Sequence, residues 1–280
     1  VQTCALPIFI DSFNGLQDLK DKVLRCVDPQ TFIEDPLRVL RACQFAARFD
    51  FVIEENTMRL CQNIDITNLS KERVEEELKK ALIHCRKPSI FFTSLLEMNQ
   101  LHYWFQEIEK MNDIPQDPIY HPEGNVFVHT MDVLDRGVAY QDKVSDPYRF
   151  ALLTLTHDIG KIVTTEVIDG RIHSYGHEKE GLPLIHDLIC RLSDNKETLK
   201  YLNNMVPLHM RPMALAYNKA SIKATNRLFD EAMSPEDLIY MALADSGLEE
   251  DHERICFLRC RLALYKEYMA LDYVKGKDLI

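Results

Sequence analysis

His157 and Asp158 are the adjacent pair in this chain best suited to chemistry. They close the apolar run 150–156 and are followed at once by Gly160 and Lys161. Phe150, Leu153 and His157 fall at i, i+3 and i+7; Ala151, Leu155 and Asp158 fall at i, i+4 and i+7. On a helix both polar groups then point into apolar neighbourhoods. His129 does the same, with Val126 three residues before it and Val133 four after. Asp245 is the fourth such group. It shares one helix face with Leu238, Met241 and Ala242, on a helix with Ser234 as N-cap, Pro235 as first residue and Asp237 as the acidic member of a capping pair. A buried carboxylate needs a cation, strong hydrogen bonds or a proton. Taken singly, each residue has an ordinary explanation: a histidine on an apolar face is commonly a hydrogen-bonded core residue, and an aspartate ending a helix is commonly solvated. Three helices that each deliver a His or Asp from a buried face suggest more. Imidazole plus carboxylate without Cys suits a divalent ion, with Mg, Mn, Fe, Co, Ni and Zn all compatible. Such an ion acidifies water and polarises a phosphoryl oxygen, the chemistry of hydrolysis at neutral pH.

The elements that would position these groups are helical. The spacing predicts helices from Asp35-Pro36 to about Phe49, at 54–63, 70–86 and 88–100, and then at 125–139, 147–158, 178–193, 195–208, 218–232, 235–247 and 251–269. Asp169-Gly170 between Val167-Ile168 and Arg171-Ile172 signals one β-hairpin. The stretch 111–118, with Pro115 and Pro118 and no periodicity, reads as a boundary, giving two helical units at 1–112 and 113–280. The fold class is all-α with one small hairpin.

Composition narrows the function classes. The 280 residues are 46 % apolar, enough to bury a core, and no apolar run approaches the roughly 20 residues that span a bilayer. No Lys/Arg-led apolar leader stands at the start, and the eight scattered cysteines form no CxxC, so a cytoplasmic protein with reduced thiols is expected. A net charge of −11 argues against sequence-blind binding of nucleic acid over the whole surface. One basic face remains: at about 100° per residue, Arg38, Arg41 and Arg48 lie within roughly 80° of one another, opposite Val39, Ala42, Cys43, Ala46 and Phe49. They read either as a solvated face behind an Asp35 N-cap, or as a nucleotide-binding edge in which Asp35 and Arg38 meet a base while Arg41 faces phosphate.

The order His129, His157-Asp158, Asp245, with Gly160-Lys161 just after the pair, resembles the HD phosphohydrolase superfamily. That resemblance implies an all-helical domain whose four side chains hold a metal and whose members cleave phosphate esters. Residues 116–130, from Gln116 through His121, Pro122, Glu123 and Gly124 to His129, are similar to the approach to the HD domain fused to bacterial tRNA nucleotidyltransferases and poly(A) polymerases. It further implies that His177, after Gly176, and His209 bind a second metal or grip phosphate, and that Lys161 neutralises phosphate charge. His84, His102, His173, His186 and His252 match no family position and read as structural.

Glu34-Asp35-Pro36-Leu37-Arg38, followed by Arg41 and Arg48, resembles the EDxxR motif of class II tRNA nucleotidyltransferases. In that family the Asp and Arg read the base of CTP or ATP, here Asp35 and Arg38. The motif at 11–19 and the helix at 72–78 are similar to its neighbours, so the likeness runs from about residue 10 onward. The family's palm domain with paired aspartates has no counterpart before Asp11; residues 1–9 read as foreign sequence, as at a gene-assembly scar, and the ending at 274–280 falls short of the family's. The expectation is a fragment of a CCA-adding enzyme or poly(A) polymerase-like protein, a hydrolase rather than a polymerase by itself. Its partners would be tRNA or an RNA 3′ end and nucleotides, with no membrane. The alternative is a non-catalytic tRNA- or nucleotide-binding piece in which the HD domain is structural.

Overall fold

The structure, a computed structural model, describes residues 10–119 and 121–271. The expectations for residues 1–9 and 274–280 lie outside them. Contacts divide the chain into Val1–Gln100 and Leu101–Ile280, twelve residues before the boundary read from the sequence.

The first unit contains α1 (Gly15–Asp21), β1 (Val23–Leu24), α2 (Pro29–Ile33), α3 (Leu37–Phe49), β2 (Val52–Ile53), α4 (Glu55–Gln62), α5 (Lys71–His84) and α6 (Ser89–Glu97). Its centre is α3, which packs on α5 and α6. Val39, Leu40, Cys43 and Ala46 are fully buried there, as are Val74, Leu78 and Leu82 of α5 and Phe91, Phe92 and Leu95 of α6. Each such Val, Leu or Phe side chain contributes on the order of 1.5–3 kcal/mol. Helix α3 stops at Asp50, which takes φ 55° and donates its N–H to the Ala46 carbonyl. Phe49, expected on the apolar face, is 50 % exposed, because this last turn leaves the core and sets its ring against Phe45 and Phe51 instead. The parallel pair β1–β2 has no period-2 signal; two residues per strand are too short to show one.

The second unit contains α7 (Leu101–Lys110), α8 (Val126–Gly137), α9 (Pro147–Thr156), α10 (Lys161–Thr164), β3 (Glu166–Ile168), β4 (Arg171–His173), α11 (His177–Glu180), α12 (Leu182–Leu192), α13 (Lys196–Met205), α14 (Arg211–Tyr217), α15 (Ile222–Glu231), α16 (Pro235–Ser246) and α17 (Glu253–Ala270). Helix α9 is buried all round from Phe150 to Thr156, against α8, α13 and α16. Asp146 caps its start, accepting from the N–H groups of Tyr148 and Arg149 at 3.0 Å each. The hydroxyls of Thr154 and Thr156 donate back to the Ala151 and Leu152 carbonyls, so no buried hydroxyl is stranded. The hairpin forms as expected, β3 antiparallel to β4 around Asp169-Gly170. The chain is predominantly helical, and no helix among the described residues is long and apolar enough to cross a membrane.

Candidate metal centre

Helix termini place the four residues that the sequence singled out. His157 follows α9 directly and is wholly buried; Asp158 is next. His129 lies in the first turn of α8, whose N-cap Asn125 accepts from the Val128 N–H. Asp245 lies in the last turn of α16, half-buried, just before Gly247 at φ 62° closes the helix. Arg136 holds this end in place, its Nε donating to the Ala244 carbonyl at 2.5 Å and a terminal nitrogen to that of Asp245 at 3.3 Å. At the start of α16, Ser234 accepts from the Asp237 N–H as expected. The Asp237 carboxylate, however, departs from its capping role. It is fully buried and accepts from Ser145 N–H at 2.9 Å, Ser145 Oγ at 2.5 Å and Tyr201 Oη at 2.7 Å, because a carboxylate on the inner face must find its donors there.

Four imidazoles converge on two carboxylates. His129 Nε2 stands 3.0 Å from Asp245 Oδ1 and 3.7 Å from Asp158 Oδ2. His157 Nε2 stands 3.4 Å from Asp158 Oδ2 and 3.6 Å from Asp245 Oδ1. On the other side of Asp158, Oδ1 faces His177 Nε2 at 3.1 Å and His209 Nε2 at 3.9 Å. Two sets of three ligand atoms therefore lie within 4.8 Å of one another, His129–His157–Asp245 and Asp158–His177–His209. Lys161, also buried, bridges Asp158 Oδ2 and Gln116 Oε1 at 2.7 Å each.

One detail repeats at all four rings. His157, His177 and His209 each donate Nδ1–H to the carbonyl three residues earlier, of Thr154, Ser174 and Val206, at 2.8, 2.8 and 2.7 Å. His129 donates Nδ1–H to Glu123 Oε1 at 2.8 Å. A carbonyl oxygen can only accept, so Nδ1 carries the proton and the neutral ring turns its Nε2 lone pair inward. This is how protein metal sites orient histidine ligands. His157 Nε2 and His177 Nε2 are buried without a hydrogen-bond partner, which a divalent cation would supply.

The electrostatics agree. Burial works against charge on His157, but the Asp158 and Asp245 carboxylates outweigh it and push its pKa up to about 10. Burial likewise opposes ionisation of Asp158, yet His157 and Lys161 hold it well below the usual carboxylate range. Asp245 is lowered too, burial being overcome by the adjoining imidazoles of His129 and His157, whose Nε2 atoms stand 3.0 and 3.6 Å from its Oδ1. Burial, then the neighbouring His157 charge, lower His209 to about 4, so it stays neutral. The cluster thus attracts positive charge, and a proton on His157 and a metal ion are alternatives for the same place.

Sequence reading missed several participants. Glu123 and His121 form a third group with His129, Glu123 Oε1 accepting from His121 Nδ1 at 3.0 Å. Gln116 orients Lys161. All three precede His129, and no periodicity marks them.

In the first unit, Arg38 and Arg41 line a cavity of about 230 Å³ together with Phe32 and Phe45. Arg41 lies over the Phe45 ring at 5.7 Å. Asp35 accepts from the Leu37 N–H at the start of α3, and Arg73 grips both of its oxygens at 3.0 and 3.1 Å. Arg38 turns to the Thr31 carbonyl. The Asp35 and Arg38 side chains are therefore neighbours that do not bond to each other, although the Arg38 N–H donates to the Asp35 carbonyl at 3.0 Å, and Arg73 is the side-chain partner that sequence reading did not find.

No protein-family model matches the chain. It is 35 % identical over 245 residues to the multifunctional CCA protein of Mannheimia succiniciproducens, a match covering 80 % of this chain and 57 % of that protein. It is 40 % identical over 180 residues to the multifunctional CCA protein of Pasteurella multocida, covering 61 % and 42 %. The chain spans about half the length of these curated relatives. Among solved structures, the Thermotoga maritima CCA-adding enzyme complexed with tRNA superposes at a TM-score of 0.62 with 20 % identity, covering 96 % of this chain and 57 % of that one. A CCA-adding enzyme in complex with CTP gives the same score and identity. Both share the fold.

Proposed function

We propose that this member of the CCA-adding nucleotidyltransferase family uses its second unit as a metal-dependent phosphohydrolase on phosphate esters of nucleotides or RNA ends, such as 2′,3′-cyclic phosphates. The observation that carries this reading is the four inward Nε2 atoms, each locked by its Nδ1 partner, around Asp158 and Asp245. His129, His157, Asp158 and Asp245 would hold a divalent ion. Asp158 divides its two oxygens between the two sets, so His177 and His209 can complete a second ion site or contact phosphate. When bound, the metal supplies Lewis acidity toward water and phosphoryl oxygen. The chain's own residues do the rest. Lys161 lies 2.7 Å from Asp158 and brings a fixed cation to the edge of the cluster, where phosphate charge develops. The carbonyl partners of His157, His177 and His209 and the Glu123 carboxylate at His129 keep every imidazole from rotating, so the site is organised before substrate arrives.

Purified protein loaded with Mn, Mg, Ni or Co should hydrolyse a generic phosphodiester, and Asp158→Ala should abolish it. Absence of bound metal on stoichiometric analysis, together with no turnover with any of those ions, would refute the reading.

A second reading rests on the Arg38–Arg41 cavity: the first unit binds tRNA or a nucleotide, CTP or ATP in a longer parent that builds CCA ends, and the HD unit serves as a platform. It predicts salt-sensitive tRNA binding that is lost in Arg38→Ala or Arg41→Ala without any hydrolysis; flat titrations at low salt would remove it.

A further inference from the structure

Beside the metal cluster lies a second feature that the hydrolytic reading does not use. A cavity of about 350 Å³ opens against the hairpin, lined on one side by Lys161 and His177 and on the other by the run from Arg171 to Tyr175. That volume is at the lower end of small-ligand sites and suits one nucleotide. Lys161 and His177 belong to both the cavity and the cluster, so a phosphate held at Asp158 would extend its ester substituent into this space. The wall it meets is aromatic. The rings of His173 and Tyr175 are nearly parallel, 13° apart with centroids at 4.9 Å, and Tyr175 is 69 % exposed. An aromatic pair left open to solvent at the mouth of a polar site is a ready face for a flat, apolar-faced group. Arg171 lies in the same wall and makes no ion pair among the described residues. The geometry is coupled to the cluster by one residue: Ser174, between His173 and Tyr175 in sequence, accepts at its carbonyl from His177 Nδ1, and its hydroxyl shares a hydrogen bond with Thr165 Oγ1, each at 2.8 Å.

We propose that the β3–β4 hairpin is the nucleoside-recognition wall of this site, with the base of a nucleoside phosphate stacked on the His173–Tyr175 pair and its phosphate at Lys161 and His177. The proposal rests on the phosphohydrolase reading for its orientation, and it names the substrate class: a phosphate ester carrying a base rather than any small ester. His173, which the sequence leaves as structural, then has a contact role. Arg171 faces a further phosphate when the ligand is an RNA end.

The test compares two monoesters that differ in the base, adenosine 3′-monophosphate and glycerol 2-phosphate, on the metal-loaded protein. Equilibrium dialysis of adenosine 3′-monophosphate on the metal-free protein runs beside it. Base–aromatic stacking of the usual strength corresponds to roughly tenfold or more in affinity. Tyr175→Ala should lower the nucleotide-to-glycerol ratio of kcat/KM about tenfold, chiefly through KM, and should weaken retention in dialysis by a similar factor; Tyr175→Phe should restore both. If both esters are hydrolysed but the ratio is unmoved in Tyr175→Ala and His173→Ala, the wall is wrong and the hydrolase stands. If neither ester turns over, dialysis decides alone: retention that depends on Tyr175 supports the wall without the hydrolase, and no retention by the wild-type protein overturns it. A 3′-phosphorylated trinucleotide separates the two sources of ligand. An Arg171→Ala effect larger on the trinucleotide than on the mononucleotide identifies an RNA end, and equal effects identify a free nucleotide.

Discussion

Replacing Gly160 by alanine isolates one structural demand of the His–Asp cluster. Gly160 has φ −66°, an ordinary helical value, so alanine carries no backbone strain. Restricting the unfolded chain would even favour it by about 0.4–1 kcal/mol. Space is the obstacle. A Cβ at Gly160 would lie 1.9 Å from the His177 carbonyl oxygen and 2.8 Å from the Gly181 nitrogen. A Cβ at Gly181 would meet Gly160 in the same way, at 2.8 Å from its nitrogen, so the two segments cross backbone to backbone through two glycines. Moving the His177 oxygen out to the 3.0 Å that real contacts need requires a shift of about 1.1 Å, the difference between those two distances. Backbone cannot rotate away as a side chain can, and overpacking of this kind costs about 1–3 kcal/mol. A 2 kcal/mol loss lowers the melting temperature by about 4–8 °C for a unit of this size. The functional effect should be larger. His177 Nε2 stands 3.1 Å from Asp158 Oδ1, and a 1 Å displacement there corresponds to about a hundredfold in rate. The assay is a metal titration followed by initial rates on a phosphodiester, with thermal melts in parallel. Gly160→Ala protein with wild-type metal affinity, a rate within twofold and an unchanged melt would refute the reasoning.

Other outcomes follow from the same geometry. Asp158→Asn keeps the shape but removes the charge that faces His157 through one oxygen and His177 through the other, so metal affinity and phosphodiester turnover should both fall at least a hundredfold; normal metal content by elemental analysis would count against Asp158 as a ligand. Glu107 of α7 and Arg191 of α12 are paired twice, at 2.6 and 2.8 Å, with Glu107 nearly inaccessible, so Glu107→Ala should cost about 3 kcal/mol in urea melts. Burial raises the Glu107 carboxyl but Arg191 lowers it further, to a net value below the usual glutamate range; its contribution is therefore present above that range and fades as pH falls through the lowered value. The stability gap between wild type and Glu107→Gln should accordingly narrow in acid, and a gap constant down to strongly acidic pH would contradict the assignment. Asp237→Ala leaves the buried Tyr201 hydroxyl without its acceptor and removes the bonds from Ser145, an expected loss of about 1–3 kcal/mol, whereas a loss below about 0.5 kcal/mol in the same melts would show those bonds to be idle.

Much of the site was legible because burial is periodic. His129 and Asp245 sit on helices, and His157 and Asp158 directly after one, where the apolar spacing extended past the helix end turns them inward (Asp245 only half-buried), and a charged group on such a face stands out in a one-dimensional pattern. His177 and His209 had no such signal; they precede or follow short turns and became visible only through resemblance to a family. Helix α7 was missed for a local reason: Phe105, at φ −131° and ψ 41°, kinks it, and tertiary partners such as Arg191 hold its last turns. Helix α14 was missed because Pro212 reads as a breaker, although proline is at home in a first turn. The one hairpin was legible because Asp169-Gly170 supplies the two positive-φ positions its turn requires.

The sequence by itself determined most of the helices, which of their faces are apolar, and that carboxylates and imidazoles lie on those faces, since all of this depends on neighbours within a few turns. Tertiary structure alone decided the pairings. His129 and Asp245, 116 residues apart, meet at 3.0 Å only because α8 and α16 pack together. Asp35 goes to Arg73, 38 residues away, rather than to Arg38 three residues on, because the packing of α3 against α5 brings that guanidinium to it. The division of Asp158 between two ligand sets, and the ring locks that aim every Nε2 inward, depend on angstrom-scale placement of segments distant in the chain. No spacing rule encodes that, because hydrogen bonds and metal ligation are directional while the hydrophobic pattern that folds the chain is not.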